Sequence, residues 1–168
     1  MSARQRLQQG VRALIAFTRP IDNELAQKYL NEAQMALFKQ MKRSEQLHSL
    51  NVLRHLGDVS HDLAVAALLH DCGKICHPLA IWQKSIAVII RKIAPQKYVA
   101  WSKKSPNHFW YKAFVVAEHH PQWGADLVAE TGASDQTVWL IAHHADKSCP
   151  LHAYGNSLRD LQRADDVN

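Results

Sequence analysis

The chain has 168 residues, 47% of them hydrophobic and 21% charged, with a net charge of +5. That length makes one domain with enough apolar surface for a core, and the balance excludes a disordered chain. The longest apolar run stops at Arg91, no secretory signal is legible in Met1–Arg19, and three cysteines exclude a disulfide scaffold, so a cytoplasmic protein without a membrane span is expected.

In chain order, alternating strand patterns are nearly absent and the pattern reads as successive helices, an all-α single-domain bundle. Met1–Phe17 reads as a weak first helix, broken by Pro20. Asp22 is placed to cap a second helix through Leu25, Tyr29, Leu37 and Met41. Leu47, Leu50, Leu53 and Leu56 repeat at near-helical spacing up to Gly57. Ser60 caps the next helix, in which Leu63–Leu69 is wholly apolar and therefore central; it runs into His70-Asp71 and stops at Gly73. Ile81–Ile93 is amphipathic, and Trp82, Ile86, Ile89, Ile90 and Ile93 are expected to face the core, with Lys84 and Arg91 opposite. Pro95 is expected to end it. Trp110–His119 reads as helix, and Pro121 as the first residue of a further helix ending at Gly132. Ser134 caps a helix through His144, and Ser157 a last one to Val167.

Charge is unevenly distributed. From Cys72 to Ala117 there is no Asp or Glu, but eight Lys and Arg and seven aromatic residues. A basic, aromatic segment (78–115) in an otherwise mildly acidic chain reads either as a solvated helical hairpin or as a surface for an anionic partner: a nucleotide, a nucleic acid or an anionic lipid.

Eleven histidines are the compositional signal for chemistry. His70-Asp71 closes a buried apolar helix, where both groups need something to offset their desolvation. A divalent cation would do so, and mixed imidazole and carboxylate donors suit Mn, Fe, Co, Zn or Ni better than Mg or Ca. His48, His119-His120, His143-His144 and Asp165-Asp166 recur at gaps of about one helix and a turn, a spacing that lets donors converge inside a bundle.

These segments resemble a known family. "LAVAALLHDCGKI" (63–75) is similar to the signature of the HD-domain metal-dependent phosphohydrolases. "QLHSLNVLRHL" (46–56), "HHPQWGADLVAETG" (119–132), "WLIAHHAD" (139–146) and "LQRADDVN" (161–168) resemble its other elements, in family order. The resemblance implies an HD-type domain over 44–168; residues 1–43, to which it adds nothing, read as an N-terminal helical extension packed on that domain. It implies a first metal held by His48, His70, Asp71 and Asp165. In two-metal members Asp71 bridges, and His120 with His143 or His144 holds the second ion. In one-metal members those histidines and Lys74 face the substrate phosphate. Our assignment takes His48, His70, Asp71, His120, His143 and Asp165 as ligands, and Asp71, Lys74 and His144 as catalytic residues. The implied activity is hydrolysis of a phosphoester in a nucleotide or related small phosphorylated substrate by metal-activated water. The alternative is a non-catalytic nucleotide-binding or signalling module. A homodimer is the oligomer such domains often form. The chain lacks the Gly-Tyr-Pro motif of the cyclic-di-GMP branch: Ala145-Asp146-Lys147-Ser148 follows the double histidine instead.

Overall fold

The computed structural model describes residues 20–148 and 151–167. The helix expected over Met1–Phe17 lies outside the described residues. Among those described the chain is all-helical: α1 Asn23–Gln27, α2 Glu32–Gln40, α3 Arg43–Leu56, α4 His61–Leu69, a 3-10 turn Cys72–Ile75, α5 Ile81–Ile93, α6 Pro95–Ser102, α7 Lys112–Ala129, α8 Asp135–His143 and α9 Gly155–Val167.

The central element is α4. Leu63–Leu69 is entirely buried, so this short helix is apolar on every side and needs neighbours all round. It packs against α2, α3, α8 and α9. Polar caps fix where it and its neighbour begin. Ser60 Oγ accepts from the Leu63 N–H, and Ser134 Oγ accepts from the Thr137 N–H while donating to Asp62 Oδ1 at 2.6 Å. The starts of α4 and α8 are thereby tied together, so these helices run side by side and end at the same level. Gly57, at φ 71°, turns the chain out of α3 in a conformation that side chains disfavour.

Four expectations are corrected. The helix from Asp22 to Met41 is two helices. Asn31 restarts it with a reciprocal cap, its side chain accepting from the Gln34 N–H at 2.8 Å while Gln34 Oε1 accepts from the Asn31 N–H at 3.1 Å. As expected, Pro95 ends α5; it also begins α6, since a first-turn residue needs no N–H. Pro121 sits inside the continuous helix α7 rather than at a start, which costs the helix one backbone bond. The last helix begins at Gly155, before Ser157.

The fourth correction has the largest consequence. α5 does not turn its apolar stripe inward. It buries Gln83 and Ala87 and half-buries Ile90, while Trp82, Ile86, Ile89 and Ile93 are exposed. A small second core explains this: Leu79, Ala87, Tyr98, Ala113, Phe114 and Val116 join α5 and α6 to α7. Ala87 enters that core and Ile90 packs against it. No helix among the described residues is long and apolar enough to cross a membrane.

Candidate metal centre

Each candidate side chain sits where its backbone has little freedom. His70 caps the C-terminus of α4 and Asp71 follows it; His48 projects from α3, His120 from α7, His144 from the end of α8 and Asp165 from α9. The bundle brings these six residues together as two donor groups: His48, His70 and Asp165, and Asp71, His120 and His144. Within each group the ligand atoms lie within 4.8 Å of one another.

In the first group His48 Nε2 is 2.7 Å from Asp165 Oδ1, and His70 Nε2 is 3.6 Å from the same oxygen. In the second, Asp71 Oδ1 is 3.4 Å from His120 Nε2 and 3.9 Å from His144 Nε2. Asp71 joins the two, because its Oδ2 faces His70 Nε2 at 3.7 Å. Lys74, on the 3-10 turn, forms an ion pair with Asp71 Oδ1.

The histidines are oriented by their own helices. Nδ1 of His70 donates to the Ala67 carbonyl at 2.9 Å, Nδ1 of His120 to Val116 at 2.9 Å and Nδ1 of His144 to Ile141 at 2.7 Å. A carbonyl only accepts, so each Nδ1 carries the proton and each neutral ring presents an Nε2 lone pair to the centre. This is the outer-shell arrangement that metal-binding imidazoles use. The rings meet edge to face, His48 with His70 at 5.3 Å, His70 with His144 at 5.1 Å and His120 with His144 at 5.1 Å.

The electrostatics call for a cation. His70 Nε2 is buried and has no hydrogen-bond partner, although two carboxylates face it. A lone pair held against two carboxylates is unfavourable unless a positive charge stands between them. Burial lowers the basicity of His70 despite Asp71 and Asp165, so protonation of the ring does not supply that charge. Burial, with His70 and His120 alongside, takes His144 down to about 3. Burial alone would raise the Asp71 carboxyl, but Lys74, His70 and His120 outweigh it and hold it well below the usual carboxylate range. Asp165 shows the same opposition and is lowered by His48 and His70. Two ionised carboxylates against one lysine, with imidazole lone pairs aimed inward, fit a divalent transition metal, whose bonds to such donors are about 2.0–2.2 Å.

His143 is the expected ligand that the structure does not bring to the centre. Its Nδ1 lies 2.7 Å from Asp146 Oδ2, its ring lies against Trp139 at 4.6 Å, and its side chain is a third exposed. Adjacent residues on a helix point about 100° apart, so only one of His143 and His144 can face inward. The Ile141 carbonyl holds His144 there. His144 thus stands among the second donor group. His119 also turns away, its ring nitrogen 3.1 Å from the Ser102 carbonyl.

The sequence reading missed the three orienting carbonyls. Each lies one helical turn before its histidine, a spacing legible in principle. The break wrongly expected at Pro121 concealed the link between Val116 and His120. A family model described as HD domain matches residues 47–167. No curated protein and no solved structure matches the chain.

Proposed function

The chain belongs to the HD domain family, a superfamily of metal-dependent hydrolases, and from that premise we propose that it hydrolyses a phosphoester bond in a nucleotide or related small phosphorylated substrate. The observation that carries this reading is the Asp71 carboxylate, which faces an unpartnered imidazole nitrogen on one side and two imidazole nitrogens and a lysine on the other. We take His48, His70, Asp71 and Asp165 as one ligand set, and His120 and His144, sharing Asp71, as a second. His144 replaces His143 in this proposal.

A divalent ion in such a site supplies Lewis-acid polarisation of a phosphoryl oxygen and makes water acidic enough to attack near neutral pH. The chain's own residues do the rest. Asp71, held ionised, orients the attacking water and accepts hydrogen bonds from it. Lys74, half-exposed beside Asp71, neutralises charge developing on the phosphoryl oxygens. The carbonyls of Ala67, Val116 and Ile141 keep the rings fixed, so no reorientation is needed when substrate enters. The absence of the Gly-Tyr-Pro motif argues for a substrate other than cyclic-di-GMP.

The test is elemental analysis of protein purified without chelator, followed by a phosphomonoester and phosphodiester screen with Mn, Fe, Co, Zn or Ni. Bound metal with metal-dependent turnover supports the proposal. Bound metal without turnover on any phosphoester points to a binding module, and no metal under any loading condition overturns the ligand assignment.

A further inference from the structure

The exposed stripe of α5 is unlike the rest of the surface. Trp82, Ile86, Ile89 and Ile93 recur along one line of the helix and are between 41% and 72% exposed. Phe109 and Trp110 extend this face: the Trp82 and Phe109 rings are 5.9 Å apart and those of Phe109 and Trp110 5.4 Å. Together with Ile86 they line an apolar groove of about 420 Å³ that includes none of the metal-site residues. Exposed apolar clusters of this kind mark interaction sites.

We propose that this face docks the protein on an anionic lipid bilayer, with the α5 stripe, Phe109 and Trp110 entering the headgroup region. Charge selects this occupant. From Cys72 to Ala117 the chain has no acidic residue, and Lys92, Lys97, Lys103 and Lys104 are exposed. Lys92 borders the stripe, three residues beyond Ile89. An amphipathic helix with aliphatic and Trp side chains on one face and cations beside it is the composition of an interfacial helix. Each cation near an anionic surface adds attraction.

The same charge disfavours other occupants. A symmetric contact with a second copy would set this basic face against itself, with no carboxylate in the segment to offset it. The stretch 1–19 carries four arginines and no acidic residue, so it has the same sign. A nucleic acid would satisfy the cations and could stack on the aromatic rings. It would leave Ile86, Ile89 and Ile93 without a partner.

The experiment is co-sedimentation of the full chain with phosphatidylcholine vesicles and with vesicles of phosphatidylcholine and phosphatidylglycerol. The protein should sediment with the anionic vesicles, less so as salt is raised, and weakly with phosphatidylcholine alone. The double variant Ile89→Ser/Ile93→Ser should lower partitioning by about tenfold or more, and Lys103→Gln/Lys104→Gln should weaken binding to the anionic vesicles alone. These side chains are exposed, so helix content by circular dichroism and bound metal should match the parent protein; Trp110→Ser gives a second readout remote from α5. No sedimentation with anionic vesicles overturns the proposal, as does sedimentation indifferent to the isoleucine substitutions. A dimer in light scattering that Ile89→Ser/Ile93→Ser dissociates would assign the face to self-association. Tighter binding to a single-stranded oligonucleotide, lost with the lysines but not the isoleucines, would assign it to nucleic acid.

Discussion

Gly73 rests directly on the backbone of His120. A Cβ at position 73 would stand 2.0 Å from the His120 carbonyl oxygen and 2.5 Å from the Gly124 amide nitrogen. Neither is a flexible side-chain end, so nothing there can yield cheaply. The close approach presses the 3-10 turn onto α7 and brings Asp71, two residues earlier, within 3.4 Å of His120 Nε2. A packing requirement and a chemical one thus meet in a single glycine.

Gly73→Ala must therefore force the turn away from α7. The overpacking should cost about 2–3 kcal/mol of stability and weaken metal binding at the same time. Denaturant unfolding and metal titration on the same preparation check this. An alanine variant with parental midpoint and parental affinity would contradict it.

Metal content separates residues that the sequence leaves equivalent. Asp71→Ala removes the carboxylate shared by both donor groups and should strip the protein of bound metal. His144→Ala should lower the content or affinity by about 10–100-fold. His143→Ala, altering a ring held by Asp146 at the surface, should retain parental metal. Loss of metal on His143→Ala alone would reverse the assignment.

Lys74→Gln should retain metal while lowering kcat/KM by about 10–100-fold on whichever phosphoester the screen identifies. The cation lies beside Asp71 and has no ligand atom to give. If metal is lost along with activity, Lys74 acts by sustaining the Asp71 charge rather than by contacting phosphate, and metal titration distinguishes the two.

The metal-free protein should lose stability as pH falls below 6.5 towards about 3. His70 and His144 are held below 6.5 in the fold, so the unfolded chain takes up protons first. Their contribution is fully present above 6.5 and drains away below it, down to about 3 for His144. Each such histidine costs up to about 1.4 kcal/mol per pH unit in that window. Asp71, lowered well below 3.8, loses its contribution only in stronger acid. Urea midpoints measured across this range check the sign, and a flat profile would refute it.

Much of the architecture was legible because it rests on local rules. The apolar run Leu63–Leu69 has one stable placement, at the centre of the bundle, and His70-Asp71 follows it there. The stops at Gly57 and the caps at Ser60 and Ser134 are short-range hydrogen-bond and backbone effects. Donors one helix and a turn apart could converge in a bundle, and the structure brings six of them together. What stayed hidden depends on neighbours. Pro121 is carried through α7 because packing on both sides outweighs one missing backbone bond.

The sequence by itself determined the helical class, the family and the set of residues from which a metal site could be built, since periodicity, capping and motif order are local properties of the chain. Only the tertiary structure decided which neighbour of a pair faces the centre and which face of α5 is buried. His144 and not His143 turns inward because the end of α8 is fixed by its packing against α7 and α4. The stripe from Trp82 to Ile93 turns outward because α5 lays its Gln83, Ala87 and Ile90 side towards the bundle, with Ala87 and Ile90 against the small second core. Hydrophobicity alone asks that apolar groups be buried; which of them are buried depends on the volume available beside each helix.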